Sequence, residues 1–100
     1  MTDTVTTDVI FRRFPSGAII ALFPKVPADS SPLYCADYID LGGHGASRPD
    51  IAISTSFPAT PEEYAELKAE LEEFGYKLRI RKRFSPRDLD ARRKALEELK

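Results

Sequence analysis

Six consecutive apolar residues, Ala18-Ile19-Ile20-Ala21-Leu22-Phe23, limit the folds open to this chain more than any other stretch. The run is far short of the roughly 20 residues that a helix needs to cross a bilayer, and its residue types favour a strand. A strand apolar on both faces belongs inside a sheet, away from the edge. Val5 to Phe14 precede it with β-branched and aromatic residues, in which Ile10, Arg12 and Phe14 alternate with Val9, Phe11 and Arg13. Pro15-Ser16-Gly17 supplies turn chemistry between the two segments, so the chain opens as a β-hairpin.

Pro24, Pro27 and Pro32 each remove a backbone donor and bias the preceding residue away from helix, which predicts a loop from Pro24 to Pro32. Leu33 to Leu41 fits a short strand with Tyr34, Ala36 and Tyr38 on one face and Cys35, Asp37 and Ile39 on the other. Gly42-Gly43-His44-Gly45 reads as a glycine-rich turn, and Ile51-Ala52-Ile53 as a short strand ended by Pro58. The helix that follows is fully specified: Thr60 as N-cap, Pro61 at the first position, Glu63 closing a capping box, and Gly75 as the stop. Its apolar stripe is Tyr64, Leu67, Leu71 and Phe74.

Tyr76 to Phe84 then alternates, with Lys77, Arg79, Arg81 and Arg83 on one side and Tyr76, Leu78, Ile80 and Lys82 on the other. Ser85-Pro86-Arg87-Asp88 repeats the helix start signal, and Leu89, Leu96 and Leu99 with Ala91 and Ala95 give a second amphipathic helix. The sum is an α+β fold: a small, mainly antiparallel sheet that opens with a hairpin, one helix packed on it, a further strand, and a C-terminal helix. Residues 1–84 are expected to form a single domain, with 85–100 as an appended amphipathic helix.

A chain of 100 residues supports one core and excludes a large multi-site enzyme. Fifteen Lys and Arg against 16 Asp and Glu leave a net charge of -1, so any charge-driven function is local. The single cysteine, Cys35, makes no intramolecular disulfide and builds no zinc site alone, and the N-terminal MTDTVTTDV has neither a basic nor an apolar signal region. These features predict a cytoplasmic protein with no membrane partner and no cofactor or metal.

The strongest electrostatic feature is the strand ladder Lys77, Arg79, Arg81 and Arg83, with Arg12 and Arg13 expected nearby. Residues 76–84 carry five positive charges and no negative one, while Pro61 to Gly75 holds six Glu against one Lys. Such a strand face can contact an acidic protein surface or phosphates; the plain alternative is a solvated surface in which opposite charges offset each other. The Gly42, Gly43, His44, Gly45 and Arg48 segment is a second candidate, because consecutive glycine amides can cradle an anion. It equally describes a turn in which His44 bonds to backbone. A Cys35 and His44 nucleophile pair, oriented by Asp37 or Asp40, is a third reading, one that spacing alone does not establish.

The strings FRRFPSGAIIALFP and ATPEEYAELKAELEEFGYKLRIRKR, with the Gly-Gly-His-Gly segment, resemble a group of small uncharacterised bacterial and phage proteins. The resemblance spans about residues 9–83 and implies a small accessory protein of a host or mobile element, acting in the host cytoplasm if phage-encoded. The leading expectation is a non-enzymatic interaction protein, an accessory or anti-defence inhibitor that occludes an acidic surface of a bacterial protein through Lys77, Arg79, Arg81, Arg83, Arg12 and Arg13. A nucleic-acid-binding module using strand 77–83 is the alternative, and a ligand binder or enzyme around Cys35 and His44 the third. Residues 86–99 offer a homodimer contact.

Overall fold

The computed structural model describes residues 6–39 and 43–99. β1 (Thr6–Arg13) and β2 (Ile19–Pro27) form the expected antiparallel hairpin. Its connection closes through Phe14 N–H to the Ala18 carbonyl (2.9 Å) and Gly17 N–H to the Phe14 carbonyl (2.8 Å). Gly17 sits at φ 95°, the left-handed position that such a short loop requires. β3 (Cys35–Ile39) pairs on the other side of β2, which therefore lies inside the sheet as its apolar run demands.

The loop expected from Pro24 to Pro32 is shorter than that, since β2 continues to Pro27. What the prolines produce is an irregularity: the β2/β3 register shifts between Phe23 and Pro27, where Pro24 has no N–H to give to the ladder. β4 (Gly43–Ser47) pairs antiparallel to β3, so the described part of the glycine segment is a strand and not a turn. Gly42, like Asp40 and Leu41, lies outside the described residues. The segment expected to be a strand at Ile51–Ile53 is instead helical, α1 (Pro49–Ser54). Pro49 at the first helical position and Asp50 in the first turn outweigh the β-branched side chains, and only Ala52 of the helix is buried.

β5 (Phe57–Pro58) is short, and α2 (Pro61–Glu73) begins with the predicted capping box: Thr60 N–H donates to Glu63 Oε1 (2.9 Å) and Glu63 N–H to Thr60 Oγ1 (3.3 Å). Gly75, at φ 102°, ends it, and Tyr76 N–H reaches back to the Leu71 carbonyl (3.2 Å). β6 (Lys77–Arg81) returns parallel to β1. The six-stranded sheet has the order β4-β3-β2-β1, and β5 and β6 share the far edge of β1, opposite Arg12–Arg13 and Thr6–Ile10 respectively.

Both faces of the sheet are covered. On one, Leu67 and Leu71 of α2 pack on Val9, Phe11, Ala21, Phe23 and Tyr38. On the other lie Ile10, Ile20, Leu22, Cys35 and Ala52, with Phe14, Ile39 and Phe84 against them. α3 (Pro86–Glu98) packs over β2 on this second face. Its contact differs from the leucine stripe read in sequence: the buried residues are Asp88 and Arg92, whereas Leu99 is 79% exposed. Arg92 Nη1 donates to the Pro24 carbonyl (2.6 Å) and Nε to the Pro32 carbonyl (2.7 Å), so the helix is held on the irregular stretch of β2 by a buried guanidinium. Among the described residues no helix is long and apolar enough to cross a membrane.

Arg92→Met keeps the aliphatic stem and leaves two carbonyls without their donor. It should lower unfolding stability by about 2–3 kcal/mol, measured by urea denaturation. A loss below about 0.5 kcal/mol would mean that other contacts hold α3.

Candidate functional site

β6 ends at Arg81, short of the expected Phe84, so Lys77, Arg79 and Arg81 share one face of the strand while Lys82 and Arg83 lie just beyond it, and these cations divide into two groups. The parallel register sets Arg79 beside Asp8 and Arg81 beside Ile10. Arg79 Nε donates to Asp8 Oδ1 (2.7 Å), and Arg81 Nη1 reaches both Asp8 Oδ2 (3.1 Å) and Asp88 Oδ1 (2.8 Å). Arg81 Nη2 completes a two-pronged contact with Asp88 Oδ2 (2.9 Å), and Lys25 Nζ lies 3.3 Å from Asp8 Oδ2. Both carboxylates are buried, and the Arg81 side chain is only 20% exposed. Arg79 and Arg81 are therefore ion-paired within the fold, and Asp88 also caps α3 by accepting from Ser85 N–H (2.7 Å).

The two arginines of β1 are occupied as well. Arg12 is buried and caps the C-terminal end of α1, donating to Ser56 Oγ (2.9 Å) and to the carbonyls of Ser56 (2.7 Å) and Ile53 (3.1 Å). Arg13, on the opposite face, lies 3.0 Å from Glu63 of α2, with its guanidinium carbon 5.4 Å from the centre of the Phe57 ring. Lys77, Lys82 and Arg83 take part in none of the ion pairs among the described residues.

Next to Lys82 and Arg83 the surface opens into a groove of about 550 Å³. It occupies the gap between the end of β6 and the segment from β5 into α2, at the far edge of β1. Phe11, Tyr64, Pro58, Pro61 and Ile80 line it on the apolar side, and the cations Arg12, Arg81, Lys82 and Arg83 line it as well, the first two of them already bonded within the fold. Phe11 and Tyr64 stack with ring centroids 4.3 Å apart. The sequence does not announce this groove, because its walls come from β1, β5, α2 and β6 and meet only through the topology. The alternation did separate Ile80 from the ladder, and Ile80 is a β6 side chain left 39% exposed.

The glycine segment has a different use from the anion cradle considered above. Gly43 takes φ 75°, but Gly45 is extended strand in which an added Cβ would stand 2.8 Å from Asp37 Oδ1. Ser47 Oγ donates to the same carboxylate, and Arg48 is held by Asp50 (3.0 and 3.2 Å). The glycine thus admits a resident carboxylate, and Arg48 is neutralised locally. Cys35 and His44 are not brought together. Cys35 lies opposite Ser47 in the buried cluster under α1, while His44 lies opposite Tyr38 on the other face, its ring 4.8 Å from Tyr38 and its Nε2 3.4 Å from Tyr76 Oη. Among the described residues no cluster of three or more His, Cys, Asp or Glu side chains is arranged to hold a metal ion.

Neither a protein-family model, nor a curated protein, nor a solved structure matches the chain, and the functional reading rests on its own geometry.

Two measurements follow from the electrostatics. The hydrogen bond from Arg79 holds the Asp8 carboxyl well down, from 3.8 to about 2, with Lys25 and Arg81 reinforcing it against burial. The ionised carboxylate stabilises the fold in full above about pH 4, and this contribution, about 2 kcal/mol, is lost as pH falls toward 2. Asp8→Asn should flatten that acid limb in denaturation curves collected across this range; an unchanged limb would show that Asp8 does not carry it. Burial pushes the Cys35 thiol up to about 11, so at pH 8 Ellman's reagent should leave the native protein unmodified and react with one thiol per chain in denaturant. Rapid reaction in the folded state would contradict the buried placement.

Proposed function

We propose that this chain is a non-enzymatic interaction protein that occludes an acidic surface of a partner protein, through the exposed end of β6 and the groove beside it. One observation carries the reading: Lys82 and Arg83, cations without an ion pair among the described residues, border the groove with the apolar walls. Uncompensated charge beside desolvatable apolar surface favours association with a complementary protein, where the charge speeds encounter and the apolar contact sustains the complex. Occlusion of this kind suits an inhibitory accessory or anti-defence factor, since it needs shape and charge and no reacting groups.

Within the ladder the roles differ. Lys77 and Arg83 are available to a partner, Arg79 contributes through its 60% exposed side chain while remaining paired to Asp8, and Arg81 is a structural tie. Substituting Arg81 would leave buried Asp88 without its cation and take one of three from Asp8, so loss of binding in such a variant would carry no information about contact.

The variant that separates the roles is Lys82→Glu with Arg83→Glu, compared with wild type in affinity capture from bacterial lysate with and without nuclease. Partner capture should be lost while unfolding stability changes by no more than about 0.5 kcal/mol. Retention of the same protein partner would overturn the assignment. Capture of nucleic acid instead, with affinity falling linearly with salt on logarithmic axes, would transfer these residues to phosphate contact.

A further inference from the structure

The groove and the strand beside it also define how a partner is held. β6 bonds to β1 along one side only; its other side is a sheet edge with no strand on it among the described residues. The partner of β1 changes from β6 to the β5 segment between Ile10 and Arg12, with Ala59 N–H bonded to the Phe11 carbonyl (3.3 Å), and the groove opens beside this change. A chain running along the outer side of β6 would thus have backbone partners over Lys77–Arg81 and then meet the mostly apolar groove that Lys82 and Arg83 also line.

We infer that the occupant is an extended, acidic segment of the partner protein that adds to the sheet beside β6. It places one apolar side chain in the groove against Tyr64, Pro58 and Ile80, and carboxylates against Lys82 and Arg83. The inference rests on the protein-interaction reading above and specifies the partner's chemistry. Three observations converge on it. Main-chain pairing along a free edge gives affinity without sequence demands. The groove, about 550 Å³ and mostly apolar in lining, has room for a large side chain. The rim charge is positive, and the strand leading to it carries Lys77 and Arg79, whose exposed side chains favour carboxylates and disfavour basic segments. A second copy of this edge is disfavoured for the same reason, because it would bring like charges together.

The test is selection of random peptides displayed on yeast against the 100-residue chain, followed by binding measurements with the selected peptides made synthetically. Enriched peptides should carry Asp or Glu next to a Phe, Tyr, Leu or Ile. Ile80→Ser, checked for an unchanged circular-dichroism melt, should weaken them at least tenfold. N-methylation of alternate backbone amides in the peptide should do the same, because it removes strand donors without altering side chains. Full affinity with Ile80→Ser and with the methylated peptide, but loss with Lys82→Glu and Arg83→Glu, would overturn strand addition and leave the charge-based interaction standing. Peptides unaffected by any of these changes would overturn both, as would recovery of no peptide together with partner capture that survives the charge reversal.

Discussion

Arg81 is the point on which three elements depend. Its guanidinium bridges Asp8 of β1 and Asp88 at the start of α3, and Nη2 also donates to the Arg83 carbonyl (3.0 Å). A buried carboxylate left alone is costly, and one paired in good geometry with its remaining oxygens bonded is tolerated. Asp8 meets this condition through Arg79, Arg81 and Lys25, and Asp88 through Arg81 and the N-terminus of its own helix. The cluster therefore fixes β6 against β1 in parallel register and sets where α3 leaves the sheet, which in turn brings Arg92 over the carbonyls of Pro24 and Pro32. Two surfaces of the fold that look polar in sequence are interior contacts.

The fold was legible where local chemistry and tertiary need agree. The capping boxes at Thr60 and Ser85, the hairpin turn at Gly17 and the stop at Gly75 each satisfy backbone groups within a few residues, so nothing distant overrides them. The misreadings share a cause. Ile51 and Ile53 favour a strand, but Arg12, forty-odd positions upstream, accepts the role of capping the carbonyls of a helix there. Gly43–Gly45 has turn composition, yet β3 offers a ladder to pair with and Asp37 needs the space that only Gly45 leaves. The leucines of α3 form the more obvious stripe, but the helix seats itself through Arg92, because unpaired proline-flanked carbonyls need a donor more than the sheet needs another apolar side chain.

The candidate site shows the same division. Alternation assigned sides over Lys77–Arg81, where the strand exists, but not at Lys82 and Arg83, which lie past its end and line one groove together, and composition located the charge. Neither reveals which cations have already been matched, because Asp8 lies 71 positions from Arg79 and 73 from Arg81. One local hint existed: Asp8 shares its strand parity with Ile10 and Arg12, and an acid on the buried side of a strand needs a cation opposite. The Phe11 and Tyr64 wall had no such hint, since both residues also serve as core.

The two ends of the sheet are protected in different ways. At β4 the edge is built of small residues, with His44 turned onto Tyr38 and Tyr76. At β6 the edge is charged, and a charged edge discourages pairing with further copies of the same chain. The ion pairs with Asp8 and Asp88 neutralise the middle of that edge but not Lys77, Lys82 or Arg83. Intramolecular pairing therefore concentrates the remaining charge at the ends of the strand, and the end that adjoins the apolar gap has two cations in succession. The interactions that hold β6 in place also determine which charges on and just beyond it stay unpaired among the described residues.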